Sequence, residues 1–154
     1  MATKQGSTAK KKSAPAFTAE ERAAMKEHAA EVKKANARGG KATKADGTQD
    51  VLDKIAELDG ADLRIAQRLH ALITAAAPDL VPRTWYGMPA YTRDGKNVCF
   101  FQPATKFKNR YTTLGFEGAA NLDDGGMWAT SFAIVELTPE IEARITALVK
   151  QAAS

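Results

Sequence analysis

Two sets of carboxylates have the residue types and spacing that could bind a metal ion. Asp50, Asp53 and Glu57 recur at i, i+3 and i+7, so they share one face if this segment is a helix. Asp123 and Asp124 form a second set in a glycine-rich segment. Hard cations prefer oxygen ligands, and an open cluster would suit a carrier that has to release its metal. The alternative is that these carboxylates are the ordinary charges of a solvated helix face.

A run of aromatic side chains offers a different chemistry, the apolar wall of a small-molecule pocket. The stretch TWYGMPAYTRDGKNVCFF holds five of the chain's eleven aromatic residues. Proline cannot donate to a strand ladder, so Pro89 predicts an edge or a bulge, and the nearby glycine permits a close approach by another group. The candidate wall residues around this break are Trp85, Tyr86, Gly87, Met88 and Tyr91. The alternative is that the cluster is core, as aromatic clusters usually are.

Three cations in the segment KFKNRY predict an anion contact. Lys106, Lys108 and Arg110 share one face if the segment is extended. Cations provide affinity for phosphate groups, so Lys106 and Arg110 are candidate ligands of a phosphorylated small molecule. The alternative is that lysines on an edge strand prevent aggregation between sheet edges.

The remaining reactive residue types form no catalytic or zinc-binding pattern. The single cysteine, Cys99, lies in the apolar run NVCFF without a cationic neighbour to activate it, which favours a buried hydrophobic role. His28 and His70 lack the spacing of zinc ligands. No phosphate-binding glycine loop is present in the sequence. We therefore expect a binding protein and not an enzyme.

Positive charge is concentrated at the N-terminus. Residues 1–44 carry 11 Lys and Arg against 4 Glu, whereas residues 45–154 carry 11 against 14 acidic residues. Residues 1–16 lack apolar periodicity and are expected to be a disordered basic tail. Nucleic acid or an acidic partner would be contacted through this tail and not through the domain.

The sequence patterns predict neither a membrane span nor a secretory signal. No apolar run approaches the roughly 20 residues that a helix needs to cross a bilayer. The N-terminal lysines are not followed by an apolar block, and a lone cysteine requires no oxidising compartment. We expect a cytoplasmic protein without a membrane partner, as a monomer or a small homo-oligomer.

An N-terminal unit, residues 17–49, is predicted to consist of a helix and a linker. Thr18 followed by Glu21 is a capping box that opens the helix. The helix is poor in large apolar residues, so it either lies on the surface of the domain or swings free. The segment NARGGKATKADGTQ predicts the linker.

The domain itself, residues 50–154, is predicted to be α+β. Asp50 is the expected N-cap of a first helix, and after the break DGAD the apolar spacing predicts a second helix that continues to residue 76. The segments TWYGMPAYT, NVCFFQ, RYTTLGFE and WATSFAIVEL predict strands, with a hairpin at Asp94-Gly95. Thr138 and Pro139 open a final helix. These elements predict an antiparallel sheet of about three to five strands packed with helices.

The segments WYGMPAY, GKNVCFF and TLGFEGAANLDDG, with the closing apolar helix, resemble the YdhG-like family, a bacterial domain of unknown function. Some members of that family are described as frataxin-like intracellular iron chaperones. The resemblance covers about residues 50–153 and implies an α/β sandwich. It also implies iron as the metal for the carboxylates and iron-accepting proteins as partners. An iron carrier is therefore the first expected function, an anion or small-molecule binding module the second, and an interaction through the basic arm the third.

Overall fold

The chain folds into four helices and one five-stranded antiparallel sheet within residues 16–40 and 42–154, the part that this computed structural model describes. The helices are α1 (Ala19–Ala37), α2 (Lys44–Ala56), α3 (Gly60–Ala76) and α4 (Pro139–Ala152). The strands are β1 (Val81–Trp85), β2 (Met88–Arg93), β3 (Lys96–Gln102), β4 (Thr112–Phe116) and β5 (Ser131–Ile134). The predicted α+β class is confirmed. The basic tail predicted for residues 1–16 lies outside the described residues, apart from its last residue.

The sheet is a meander in which strand order follows chain order, from β1 to β5. β3 is therefore the central strand, and Val98, Cys99 and Phe101 have no exposed surface. The core also takes apolar side chains from α2, α3 and α4, including Val51, Ile55, Leu69, Ile73, Ile145 and Val149. The prediction that NVCFF forms a core strand is confirmed. Within the described residues, no helix has both the length and the hydropathy to cross a membrane.

Two tight turns connect the first three strands. Asp94 and Gly95 have φ angles of 51° and 76°, the left-handed conformation that a two-residue hairpin requires, so the predicted β2–β3 hairpin is confirmed. The prediction that TWYGMPAYT is one interrupted strand is wrong. Tyr86 and Gly87 have φ angles of 52° and 77°, and they form a second turn that pairs β1 with β2.

Helix α2 begins earlier than the sequence patterns indicated. Its N-cap is Thr43, whose hydroxyl accepts from the Asp46 amide while the Asp46 carboxylate accepts from the Thr43 amide. Asp50 was the expected N-cap, but it lies inside the helix. This capping box uses Asp where Glu or Gln is usual, which explains why the pattern was missed. The segment predicted as a long linker is therefore partly helical.

Gly47 allows α2 to pack closely against β1. A Cβ atom at this position would lie 2.0 Å from the carbonyl oxygen of Pro82, a distance that no real contact reaches. That oxygen belongs to the backbone of a strand held by β2, so it has little freedom to move. Glycine is therefore required here by the helix–strand distance and not by its backbone angles.

We predict that Gly47→Ala destabilises the fold by about 2 kcal/mol, because the added methyl group overpacks the contact between α2 and β1. Helix propensity alone would give the opposite sign, since Ala stabilises a helix interior by about 1 kcal/mol relative to Gly. Urea unfolding measures the change in the free energy of unfolding.

Gly118→Ala is the matched control, because nothing lies within 4 Å of a Cβ at Gly118 and its backbone is not left-handed. This variant is expected to change stability by less than about 0.5 kcal/mol. A Gly47→Ala protein as stable as the wild type would contradict the close approach.

Candidate functional site

Helix α1 lies against the turn between β1 and β2. The Glu31 carboxylate accepts hydrogen bonds from both turn amides, at 2.9 Å from the Tyr86 nitrogen and 2.8 Å from the Gly87 nitrogen. The His28 ring stacks on the Tyr86 ring, with centroids 4.0 Å apart and planes 8° from parallel. The helix predicted either to lie on the surface or to swing free therefore lies on the surface in this structure.

The backbone of Gly87 is enclosed by charged groups. The Lys106 ammonium lies 3.1 Å from the Gly87 carbonyl oxygen, and 3.2 Å from a carboxylate oxygen of Glu27. A Cβ atom at Gly87 would lie 1.6 Å from the other Glu27 oxygen. The structure thus brings together Tyr86, Gly87 and Lys106, three of the predicted site residues, although Glu27 and Glu31 already occupy the space around them.

A groove of about 670 Å³ separates α1 from β1 and the neighbouring hairpin. Its apolar wall includes Val32, Val81 and Trp85, which are all partly exposed. Its polar groups include His28, Glu31 and Arg83. Of the five predicted wall residues, only Trp85 lines this groove.

Arg83 of β1 is half-buried and lines the groove. Its Nε donates to the Asn97 side-chain oxygen at 3.0 Å, and no hydrogen bond or ion pair to its two terminal nitrogens is formed by the described residues. Burial lowers the pKa of Arg83, and the nearby Glu31 carboxylate partly offsets this effect. A half-buried cation with free donors is a ready contact for an anion.

His28 presents a second unsatisfied group at the same wall. Its Nδ1 is buried, and although it lies 3.6 Å from Glu31, that distance is too long for a hydrogen bond. Trp85 stands edge-on to both Tyr86 and Phe100, with centroids 5.5 Å and 5.2 Å apart. The groove therefore combines aromatic walls with a few polar groups, the usual composition of a ligand site.

Two predicted wall residues belong to the interior instead. Tyr91 has no exposed surface and packs in the core, where its hydroxyl lies 2.7 Å from Nδ1 of His70. Burial raises the pKa of Tyr91 well above its usual range and lowers the pKa of His70. Met88 is 8% exposed. The prediction that Tyr91 lines a pocket is wrong because the second turn places it on the core face.

The cationic ridge predicted for KFKNRY does not form. Residues 104–108 make turns, held by the Asp62 carboxylate, which accepts from the Thr105 and Lys106 amides. Lys108 pairs with Glu20, whereas the exposed Arg110 stacks over the Tyr111 ring at 5.5 Å. The ridge prediction is wrong because the segment is not extended.

Three candidate metal ligands line a cleft of about 220 Å³ between α1 and α2. Asp50 is held by Lys34 and Arg38, and the Arg38 hydrogen bond is the main reason that its pKa lies below the usual value. Asp53 accepts from a neighbouring glutamine on α2. Glu57 pairs with Lys54 at 3.2 Å. Nearby protein groups therefore contact each of these carboxylates.

Asp123 and Asp124 are exposed in the connection between β4 and β5, on the far side of the sheet from α2 and β1. Across the described ranges, no group of three or more His, Cys, Asp or Glu side chains is close enough to hold a metal ion. The iron-carrier function and its iron-accepting partners stay predictions of the family resemblance.

Comparison of the chain with protein-family models, with curated proteins and with solved structures finds no match in any of the three. The YdhG-like resemblance, like the cytoplasmic location, therefore stays a prediction.

Sequence patterns missed Glu31 and Arg83, the two residues that define this site. Glu31 looks like one of several charges on a polar helix, and Arg83 is a single basic residue in a short strand. Their partners lie far away in the sequence, so local spacing contains no signal for either residue. The one available hint was Gly87, whose predicted close approach by another group is confirmed by Glu27.

The buried position of Cys99 makes its thiol unreactive. Its thiol is fully buried in β3, and burial raises its pKa from 9.0 to about 12. A raised pKa keeps the thiol protonated, whereas alkylation requires the thiolate. Because the unfolded thiol ionises near its value of 9.0 and the folded one near 12, this group makes the fold less stable as pH rises through that interval.

We predict that iodoacetamide at pH 8 modifies native Cys99 about a thousandfold more slowly than it modifies the chain in concentrated urea, because reaction has to wait for opening of the core. Mass spectrometry over a time course measures both rates. Comparable rates in the two conditions would contradict the burial of the thiol.

Proposed function

We propose that this protein binds a small organic anion in the groove between α1 and the β1–β2 hairpin. The observation that carries the proposal is Arg83, whose half-buried guanidinium has two terminal nitrogens without a partner in the described chain. A carboxylate or a phosphate group can accept from both nitrogens at once. The ligand's acidic group would bind here.

The other cations of the groove already have a protein partner. Lys34 and Arg38 both contact Asp50, at 2.7 Å in each case. Glu31 directs its two oxygens to the turn amides, so it does not neutralise Arg83 directly. An acidic group on the ligand would therefore accept from donors of Arg83 that the described chain leaves free.

The body of the ligand would be apolar or aromatic. Val32 and Val81 are 45% and 37% exposed at the groove, and the face of Trp85 is partly open. A volume of about 670 Å³ lies within the range of roughly 300–1,000 Å³ that is usual for sites of small molecules.

We predict that Arg83→Gln weakens binding about 10- to 100-fold, the loss expected when one hydrogen-bonded charge pair is removed. The ligand is found by thermal shift, with a panel of aromatic carboxylates and phosphorylated metabolites. Affinity is then measured through Trp85 fluorescence in a Trp128→Phe background, which leaves one reporter because the chain has two tryptophans.

Arg110→Gln is the matched control, because it removes the same charge from an exposed site outside the groove. It should bind the panel's ligand as the wild type does. Equal affinity of the Arg83→Gln and wild-type proteins, or loss of binding in Arg110→Gln alone, would contradict the proposal.

A further inference from the structure

We propose that the surface under α1 is a binding site for an acidic helix of a partner protein, and that α1 occupies this site in cis. We call it the α1-docking surface, and it consists of Lys54, Tyr86, Gly87, Lys106 and Lys108. The inference goes beyond the groove, because it concerns a different set of contacts and does not depend on the groove's ligand.

Helix α1 is weakly attached to the rest of the protein. None of its residues is buried, and Met25 and Val32 are 41% and 45% exposed. The helix is held by hydrogen bonds, ion pairs and one stacked ring pair. The ion pairs of α1 with Lys54, Lys106 and Lys108 are all partly exposed to solvent. Pairs of this kind contribute up to about 1 kcal/mol each and are screened by salt, whereas a buried apolar face would contribute several kcal/mol. The helix can therefore leave without opening the core.

The charges of α1 and of the α1-docking surface are complementary. Glu20, Glu27 and Glu31 are spaced by seven and four residues, so they lie on one face of α1. Glu20 meets Lys108, and Glu27 meets both Lys106 and Lys54. The hydrogen bond from Lys108 lowers the pKa of Glu20, so this carboxylate is charged at neutral pH.

The cationic side of this contact is built by the domain and does not depend on α1. Lys106 and Lys108 lie in the turns after β3, which Asp62 of α3 holds in place, and Lys54 projects from α2. Without α1, Lys106, Lys108 and the two turn amides would lose their carboxylate partners. The surface would then present donors and positive charge to any helix that carries the same acidic face.

The backbone conformation at Gly87 also shapes the α1-docking surface. Its φ of 77° turns the amide outward, and the absent side chain leaves room for the Glu27 carboxylate, which lies where a Cβ atom would be. The adjacent Tyr86 and Gly87 amides both donate to the Glu31 carboxylate, so they form a specific site for one anionic group, as in other backbone anion sites. This geometry selects a carboxylate on a rigid support, such as a helix.

The connection between α1 and α2 permits the exchange. Gly39 and Gly40 are both left-handed, with φ angles of 61° and 70°, and nothing lies within 4 Å of a Cβ at either position. The amides of these two residues donate to the carbonyl oxygens of Asn36 and Ala35 in α1, so these hydrogen bonds can move with the helix. The ion pairs of Lys34 and Arg38 with Asp50 lie next to this hinge, so they can persist while the acidic end of α1 moves away.

An acidic helix fits this surface better than nucleic acid does. Three lysines are few for a nucleic-acid footprint, which usually requires a larger basic patch. The helix that occupies the surface now also supplies the spacing that a partner has to match. A partner helix would carry acidic residues at i, i+7 and i+11.

The test uses the full chain with two substitutions, Glu27→Gln and Glu31→Gln, which weaken the cis helix without touching the core. The probe is a fluorescent peptide of residues 17–38. In the wild type, the tethered α1 competes at high effective concentration. We therefore expect the peptide to bind the double variant about tenfold more tightly than the wild type by fluorescence anisotropy, and to dissociate in about 0.5 M salt.

Matched variants decide whether the contact is the one described. Adding Lys106→Gln and Lys108→Gln should abolish peptide binding, whereas adding Arg110→Gln should not. A peptide with the substitutions Glu20→Gln, Glu27→Gln and Glu31→Gln should fail to bind. Equal binding to the wild type and the double variant, or equal binding of the two peptides, would overturn the proposal. Tighter binding of a single-stranded oligonucleotide of about 20 nucleotides would overturn it in favour of a nucleic-acid surface.

Hydrogen–deuterium exchange tests the same contact in the unmodified protein, so this measurement does not require a variant to fold. Exchange of the Tyr86 and Gly87 amides with deuterium should accelerate about tenfold between about 0.05 M and 0.5 M salt, because Glu31 leaves them as α1 undocks. The exchange of core amides in β3 should stay unchanged. Protection of the two turn amides that does not depend on salt would show that α1 is fixed, and would overturn the exchange of helices.

Discussion

The left-handed turn at Tyr86 and Gly87 is the constraint on which the arrangement of the first helix and the first two strands depends. It reverses the chain within two residues, so Trp85 pairs with Met88 across the hairpin. It also directs two neighbouring amides at Glu31. Left-handed backbone is unfavourable for a tyrosine, so the stacking of His28 and the hydrogen bonds of Glu31 offset a local cost. Hairpin geometry and helix docking therefore support each other.

Two kinds of interaction hold the molecule together, and they divide it into a stable body and a weakly held helix. The body depends on apolar burial, with Val51, Leu69 and Phe101 fully enclosed. Helix α1 depends on charges at its surface and contributes no buried residue. Salt weakens the second kind of interaction much more than the first. The proposed release of α1 would therefore change the groove, which has α1 as one wall, without unfolding the core.

The sequence predicted those features that local chemistry decides. The capping box at Thr18 and the hairpin at Asp94-Gly95 were found because each needs only a few adjacent residues of the right type. The turn at Tyr86 was missed, because no local rule favours a tyrosine in a left-handed position. Distant contacts make it possible, since Glu31 lies 55 residues away. For the same reason the sequence does not predict a role for Arg83, because the groove that Arg83 lines forms only when α1 packs nearby.

The two proposed binding events are linked through α1. A groove ligand contacts Val32 and His28, so it binds best when α1 is docked, whereas an acidic partner helix needs the surface that docked α1 covers. Each ligand then stabilises the state that excludes the other, and the antagonism is reciprocal by thermodynamic linkage. Only a few polar contacts hold α1. The free-energy difference between docked and released α1 would therefore be small enough for either ligand to shift the equilibrium. The polar attachment of α1 would thus allow binding at one site to weaken binding at the other.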